Sequence, residues 1–221
     1  DPLWSRGLGD VYKRQVNDVE INFELVFVMI HGTPGEDGVI QKYFDNLKSL
    51  ISDEKYYDDL IEVKQILKET HSSGKKTMIF GNGGSAAIAS HFSVDLTKNA
   101  RVRCTNYNES DLLTCFSNDF GYERWVEKAI EFYGDEGDSL ILISAGGNSP
   151  NMTNGAKQAR KRNIKKIITF TGNDKNNNLA KLGDINFWVN SKAYNHIENV
   201  HQILLLSLVD LIIGKTEYPP N

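Results

Sequence analysis

Three side chains of this chain have types and spacings that suit chemistry. His91 and Asp95 are four residues apart, which places an imidazole and a carboxylate on one face of any helix that carries them. Glu198 adds a second carboxylate at the start of a long apolar run. Such groups could bind a divalent metal such as zinc through nitrogen and oxygen, or share proton transfers beside a bound substrate. On spacing alone a His and Asp at this separation form an ordinary surface pair, so the chemistry must be argued from what surrounds them.

What surrounds them is a glycine turn. Phe80-Gly81-Asn82-Gly83-Gly84-Ser85-Ala86-Ala87-Ile88-Ala89 joins the β-prone Thr77-Met78-Ile79-Phe80 to good helix material. Backbone N–H groups at a helix start, with no side chain in the way and the Ser85 hydroxyl beside them, favour a bound anion. Ser85 reads as an exposed turn residue. The same design returns over 138–151, Asp-Ser-Leu-Ile-Leu-Ile-Ser-Ala-Gly-Gly-Asn-Ser-Pro-Asn, with Pro150 suited to a first helical turn. At the carboxyl ends of parallel strands two such turns can converge on one ligand. Neither carries the GxGxxG dinucleotide fingerprint or the Gly-Lys-Ser/Thr of a nucleotide P-loop, so a phosphorylated small metabolite fits better than a nucleotide cofactor.

The elements that must position these loops follow from periodicity. Residues 38–52 and 55–71 predict two amphipathic helices, with Ile40, Tyr43, Phe44, Leu47 and Leu50 and then Tyr57, Leu60, Ile61, Val63, Ile66 and Leu67 on their apolar faces. Strands are predicted at 76–80, 112–116 or slightly earlier, 139–143, 166–170 and 185–189, and helices at 85–98, 121–133, 150–162, 177–182 and 195–214. That alternation implies an α/β fold, a doubly wound parallel sheet of about five strands flanked by helices, with an N-terminal helical pair. The basic run from Lys157 to Lys166 reads as a solvated helix end.

Composition bounds the rest. At 221 residues and 40% hydrophobic the chain can bury one core, read as a single domain over 38–214 with a tail over 215–221. A net charge of −4 argues against nucleic acid as a partner. The longest apolar run, Ile203 to Ile213, is interrupted by Ser207 and Asp210 and falls short of a membrane span. Two cysteines, Cys104 and Cys115, have the spacing of neither a zinc knuckle nor a disulfide framework and suit a reducing cytoplasm. Residues 1–15 read as a non-native leader, because Asp10-Val11-Tyr12-Lys13-Arg14-Gln15 looks like a translated library sequence. Residues 16–28 alternate as a strand would, and 16–37 is otherwise unassigned.

Taken together, these landmarks resemble the sugar isomerase (SIS) domain family, and its phosphoheptose isomerases in particular, over roughly residues 40–214. Gly-Asn-Gly-Gly-Ser-Ala-Ala with His91 six residues after Ser85, Asn118-Asp119-Phe120-Gly121, the serine loop over 143–149 and His196-Ile197-Glu198-Asn199-Val200-His201 fall in the family's order. The resemblance implies a flavodoxin-like three-layer sandwich and a substrate shell of Asn82, Gly83, Gly84, Ser85, Asn118, Asp119, Ser144, Ala145, Gly146 and Ser149. It implies Asp95 and Glu198 as catalytic groups and His91, Asp95 and Glu198 as zinc ligands. The implied reaction converts sedoheptulose 7-phosphate to glycero-manno-heptose 7-phosphate in the cytoplasm.

The chain departs from that pattern at three places. Leu206 stands where the family carries a His that serves as ligand and base, Asp95 is one methylene shorter than the family's Glu, and Ala145-Gly146 replaces Thr-Ser. Either the proton shuttle has been rebuilt, with Glu198 as base and His201 as the next candidate, or a sugar-phosphate or partner-binding protein keeps the cradle without turnover. His201 otherwise reads as a core histidine with one satisfied nitrogen. The run from Ile203 to Ile213 is apolar nearly all round and must be covered on every side. That predicts a homodimer or homotetramer with this helix and the N-terminal pair between subunits.

Overall fold

The computed structural model describes residues 38–218, so the leader over 1–15 and the alternating segment over 16–28 lie outside the described residues. The chain divides into two compact units, Asp1–Lys48 and Ser49–Asn221, and the second holds the sheet. Helix α1 (Val39–Ile51) crosses that boundary in sequence and buries none of its residues. Helix α2 (Tyr57–Ser72) buries Leu60, Val63, Ile66 and Leu67 of its expected apolar face, whereas Tyr57 and Ile61 stand exposed.

The elements then alternate: β1 (Thr77–Phe80), α3 (Gly84–Lys98), β2 (Cys104–Asn106), α4 (Ser110–Phe120), α5 (Trp125–Tyr133), β3 (Ser139–Ser144), α6 (Pro150–Lys161), β4 (Lys166–Gly172), β5 (Ile185–Val189) and α7 (Tyr194–Ile213). Every strand pair is parallel, in the order β2-β1-β3-β4-β5. The chain leaves β1 toward one edge and runs from β3 toward the other. The switch point, where open α/β sheets bind ligands, therefore lies between β1 and β3, the two strands that carry the glycine and serine loops. In β3 every residue is buried, as expected of a strand covered on both faces. Leu140 and Leu142 pack in one cluster with Val126, Ile130 and Met152. Ile141 and Ile143 take the opposite face, where α2, α3 and α7 pack.

Three expectations need correction. Residues 112–116 belong to a helix, α4, because Leu112, Leu113 and Phe116, which pack against the core, follow helical and not alternating spacing. The edge strand lies before it, as β2, three residues long. The predicted helix over 177–182 is only a 3-10 turn, Ala180–Leu182, and that over 121–133 starts at Trp125 after Gly121 takes φ of +89°.

Helix α7 is long and apolar enough to cross a membrane by length and composition. In the fold it is a core helix: Ile197, Val200, Leu204, Leu205, Leu208 and Val209 are buried where it packs on β4, β5, α2 and α3.

Candidate active site

The first loop is shaped by close approach. A Cβ on Gly81 would meet the Ser85 backbone at 2.4 Å, and Gly83, with φ of +53°, caps the start of α3 in a conformation that L side chains rarely adopt. Gly84 has no such backbone demand. A Cβ there would instead meet Glu198 Oε2 at 2.4 Å, so the Glu198 carboxylate sits against the amino end of α3. That placement suits an anion, since the unsatisfied N–H groups and the helix dipole both favour negative charge. Ser85 is buried, at 3% exposure, and not the exposed turn residue its sequence context suggests. As the second residue of α3 it turns its side chain into the fold.

The second loop closes on itself. Gly147 donates to the Ser144 carbonyl at 2.9 Å and to Ser144 Oγ at 3.2 Å, and Ser144 Oγ lies 3.1 Å from Ser149 Oγ. Asn148 bridges outward, donating to the Gly146 carbonyl at 3.2 Å and accepting from Asn178 N–H at 3.1 Å. Pro150 then begins α6. The N-terminus of α7 supplies the third wall: Tyr194 and Glu198 are one turn apart, and Tyr194 Oη lies 3.5 Å from where a Gly146 Cβ would be.

These elements enclose a cavity of about 410 Å³ lined by Asn82, Ser85, Ser144, Ala145, Gly146, Ser149 and Glu198, together with Ile143, Asn148, Asn173 and Tyr194. Seven of the expected residues are thus brought together, and Gly83 and Gly84 shape the adjoining turn. Asn118 and Asp119 are not among the lining residues. They stand exposed on the last turn of α4, where Asn118 Nδ2 donates to Asp119 Oδ1 at 2.9 Å.

His91 and Asp95 pair as their spacing requires, with Nε2 to Oδ2 at 3.3 Å, on a stretch of α3 that does not line the cavity. Glu198 does not join them: among the described residues no group of three His, Cys, Asp or Glu side chains is placed to hold a metal. Two donors from one helix fall short of the three protein ligands that a catalytic zinc site keeps, so the described residues of one chain do not bring together the ligand set that the resemblance implied. His201 is fully buried, its Nε2 bonded to the Thr171 carbonyl at 3.1 Å, and burial lowers its pKa to about 4. It is a neutral core residue behind the site.

Several residues of the site are invisible to sequence reasoning. Asn151, 1% exposed, forms a reciprocal amide pair with Asn82 at 2.8 and 3.1 Å, and Tyr122 Oη donates to Asn82 Oδ1 at 3.0 Å. Nothing in the chain announces a contact between residues 69 positions apart. Tyr194 carried a usable signal, since it lies four residues before Glu198 and so on the same helical face.

Comparison with known proteins agrees with this architecture. The SIS domain profile matches residues 42–172. The chain is 32% identical to the phosphoheptose isomerase of Proteus mirabilis over 186 residues, 81% of this chain and 96% of that protein. It is 30% identical to that of Fusobacterium nucleatum over 183 residues, 80% of this chain and 93% of the relative. The fold matches a solved phosphoheptose isomerase from Neisseria gonorrhoeae with a TM-score of 0.74, covering 81% of this chain and 98% of that one at 24% identity. The chain belongs to the SIS domain family, and within it to the phosphoheptose isomerase group of sugar-phosphate isomerases.

Proposed function

We propose that the cavity isomerises a C7 ketose phosphate, sedoheptulose 7-phosphate, to glycero-manno-heptose 7-phosphate. The observation that carries this reading is the position of Glu198, a carboxylate against the amino end of α3 and in one cavity with Ser85, Ser144 and Ser149. Aldose–ketose isomerisation needs a base for the proton on the carbon beside the carbonyl and donors for the developing enediolate oxygens.

Glu198 is the base in this reading. Because its carboxylate occupies the amino end of α3, a phosphate at the same point would meet like charge. The phosphate falls instead to the second loop, among the Ser144 and Ser149 hydroxyls and the start of α6. Asn82 is held by Asn151 and Tyr122 with its Oδ1 doubly bonded and one Nδ2 hydrogen committed. Its remaining hydrogen is available to a substrate oxygen. His91 and Asp95 stand outside the cavity lining and take no part in this proton transfer.

The protein is proposed to act in the cytoplasm, in keeping with two free cysteines. A homodimer or homotetramer is proposed on the exposed apolar Ile61 of α2 and Ile203 and Leu211 of α7, although α2 and α3 already flank α7 within the chain.

The test is incubation with sedoheptulose 7-phosphate in deuterated water, following exchange at C1 and C2 by NMR. Wild type is expected to exchange, and Glu198→Gln, which keeps shape without basicity, to lose about 100-fold or more in rate. Binding without exchange by the wild type would leave a sugar-phosphate binder and sink the isomerase reading. Full exchange by the variant would acquit Glu198.

A further inference from the structure

A second cleft lies against the edge strand β5. It encloses about 370 Å³, and Lys55, Lys175, Lys181, Asn186 and Trp188 line it together with one acid, Asp59. In a chain of net charge −4, three lysines against Asp59 in the lining and Asp53 beside Lys55 leave a local excess of positive charge. Lys55 Nζ stands 5.2 Å from the Trp188 ring centroid and Lys175 Nζ 5.6 Å from it, within cation–π range. Lys55 also pairs with Asp53 at 2.6 Å, both side chains 39% exposed, an open pair that costs little to exchange for another anion.

The indole is a fixed wall. Trp188 Nε1 donates to the Asn173 carbonyl at 3.3 Å, and its own carbonyl accepts from Tyr56 Oη at 3.1 Å. Asn186 turns its Oδ1 to the hydroxyls of Thr169 and Thr171, both at 2.9 Å, which leaves its amide hydrogens for the cleft.

We propose that this cleft binds a nucleoside phosphate, with the base against Trp188 and the phosphates among Lys55, Lys175 and Lys181. A simple anion would leave the aromatic wall unused, and a neutral ring would leave the lysines unanswered. A molecule carrying both a planar ring and phosphate uses every group there, and the volume admits one nucleotide and no polymer. The site shares no lining residue with the sugar cavity, so it stands whether or not the isomerase reading does. The two are joined by one bond, from Trp188 to the backbone of Asn173, which lines that cavity.

Calorimetric titration of the whole chain with ADP, pyrophosphate and adenosine tests it. ADP is expected to bind at least about tenfold more tightly than either part alone. The double variant Lys175→Glu/Lys181→Glu is expected to weaken ADP by about tenfold or more. Trp188→Leu is expected to bring ADP down to the pyrophosphate level, and Trp188→Tyr to restore most of the difference. Circular dichroism checks that each variant is folded. No saturable ADP heat below about 5 mM, ADP affinity unchanged in the lysine variant, or pyrophosphate binding as tightly as ADP would each overturn the proposal.

Discussion

The Glu198 carboxylate lies so close to Gly84 that a Cβ on Gly84 would meet Oε2 at 2.4 Å and Cδ at 2.8 Å. Gly84 is therefore glycine because of an acid 114 positions later, and not because of its own backbone, which is that of an ordinary first helical residue. The obstacle is the far end of a flexible side chain, which can swing away at small cost. Gly84→Ala is thus expected to leave the melting temperature unchanged or slightly higher, as alanine favours helix by about 0.5–1 kcal/mol. Isomerase exchange should still fall by tenfold or more, on the order of 1.4 kcal/mol in barrier. Parallel melts and deuterium exchange decide it; a variant that keeps full activity shows that Glu198 works from another position.

Ser85 separates fold from site in the opposite direction. At 3% exposure it has no room for a large side chain, so Ser85→Leu is expected to destabilise by about 1–3 kcal/mol through overpacking. Its loss of binding would then be uninformative. Ser85→Ala removes only the hydroxyl and is expected to fold normally with a raised KM for the sugar phosphate. Equal KM values would place the hydroxyl outside the substrate contacts.

Ser85 also marks how far sequence reasoning reaches. The strand ends, the two loops and the start of α7 were legible because each is a local pattern: a short apolar run, then glycine or serine, then helix formers. Burial of Ser85 was not, since a loop residue and a first-turn helix residue read alike until the packing against the sheet is known. The strand misplaced at 112–116 failed for a related reason. Leu112, Leu113, Cys115 and Phe116 form a compact apolar run, and a run that short supports either period. The true strand, Cys104-Thr105-Asn106, is an edge strand whose partner on β1 supplies the order that its own composition does not. The Asn82–Asn151 amide pair and the Glu198–Gly84 contact are long-range consequences of strand order, and only a three-dimensional arrangement discloses them.

His201 predicts a pH dependence of stability. Burial lowers its pKa from 6.5 to about 4, so the unfolded chain takes up a proton as pH falls through 6.5 while the folded chain resists until about 4. The neutral imidazole's contribution is complete above pH 6.5 and is lost between 6.5 and 4. By linkage, from pH 8 to pH 5 the folded state should lose about 2 kcal/mol through this group. In urea titrations the stability gap between wild type and His201→Gln should narrow by that amount over the interval. A gap that stays constant would mean that His201 is solvated or protonated in the native state.

The buried carboxylate of Asp138 makes the last prediction. It is fully buried and accepts three hydrogen bonds, from Lys76 N–H at 3.0 Å, Lys76 Nζ at 2.6 Å and Asp135 N–H at 2.9 Å. It thereby ties the turn before β3 to the residue before β1, in register with the Thr77–Ser139 pairing that begins the two central strands. Asp138→Ala leaves two part-buried backbone donors without their acceptor. The Lys76 ammonium can keep Asp135, at 2.8 Å and on the exposed side, which limits the damage. The expected cost is about 2–4 kcal/mol. Asp138→Asn retains an acceptor for one backbone N–H but loses the charge and presents an NH2 where a donor already points, so about 1–2 kcal/mol is expected. Urea midpoints should fall in the order wild type, Asn, Ala. Because β1 and β3 carry the two loops of the cavity, sugar-phosphate affinity should weaken in the same order. If the Asn and Ala variants were equally stable, the stabilisation would come from the Lys76–Asp138 charge pair and not from the backbone donors.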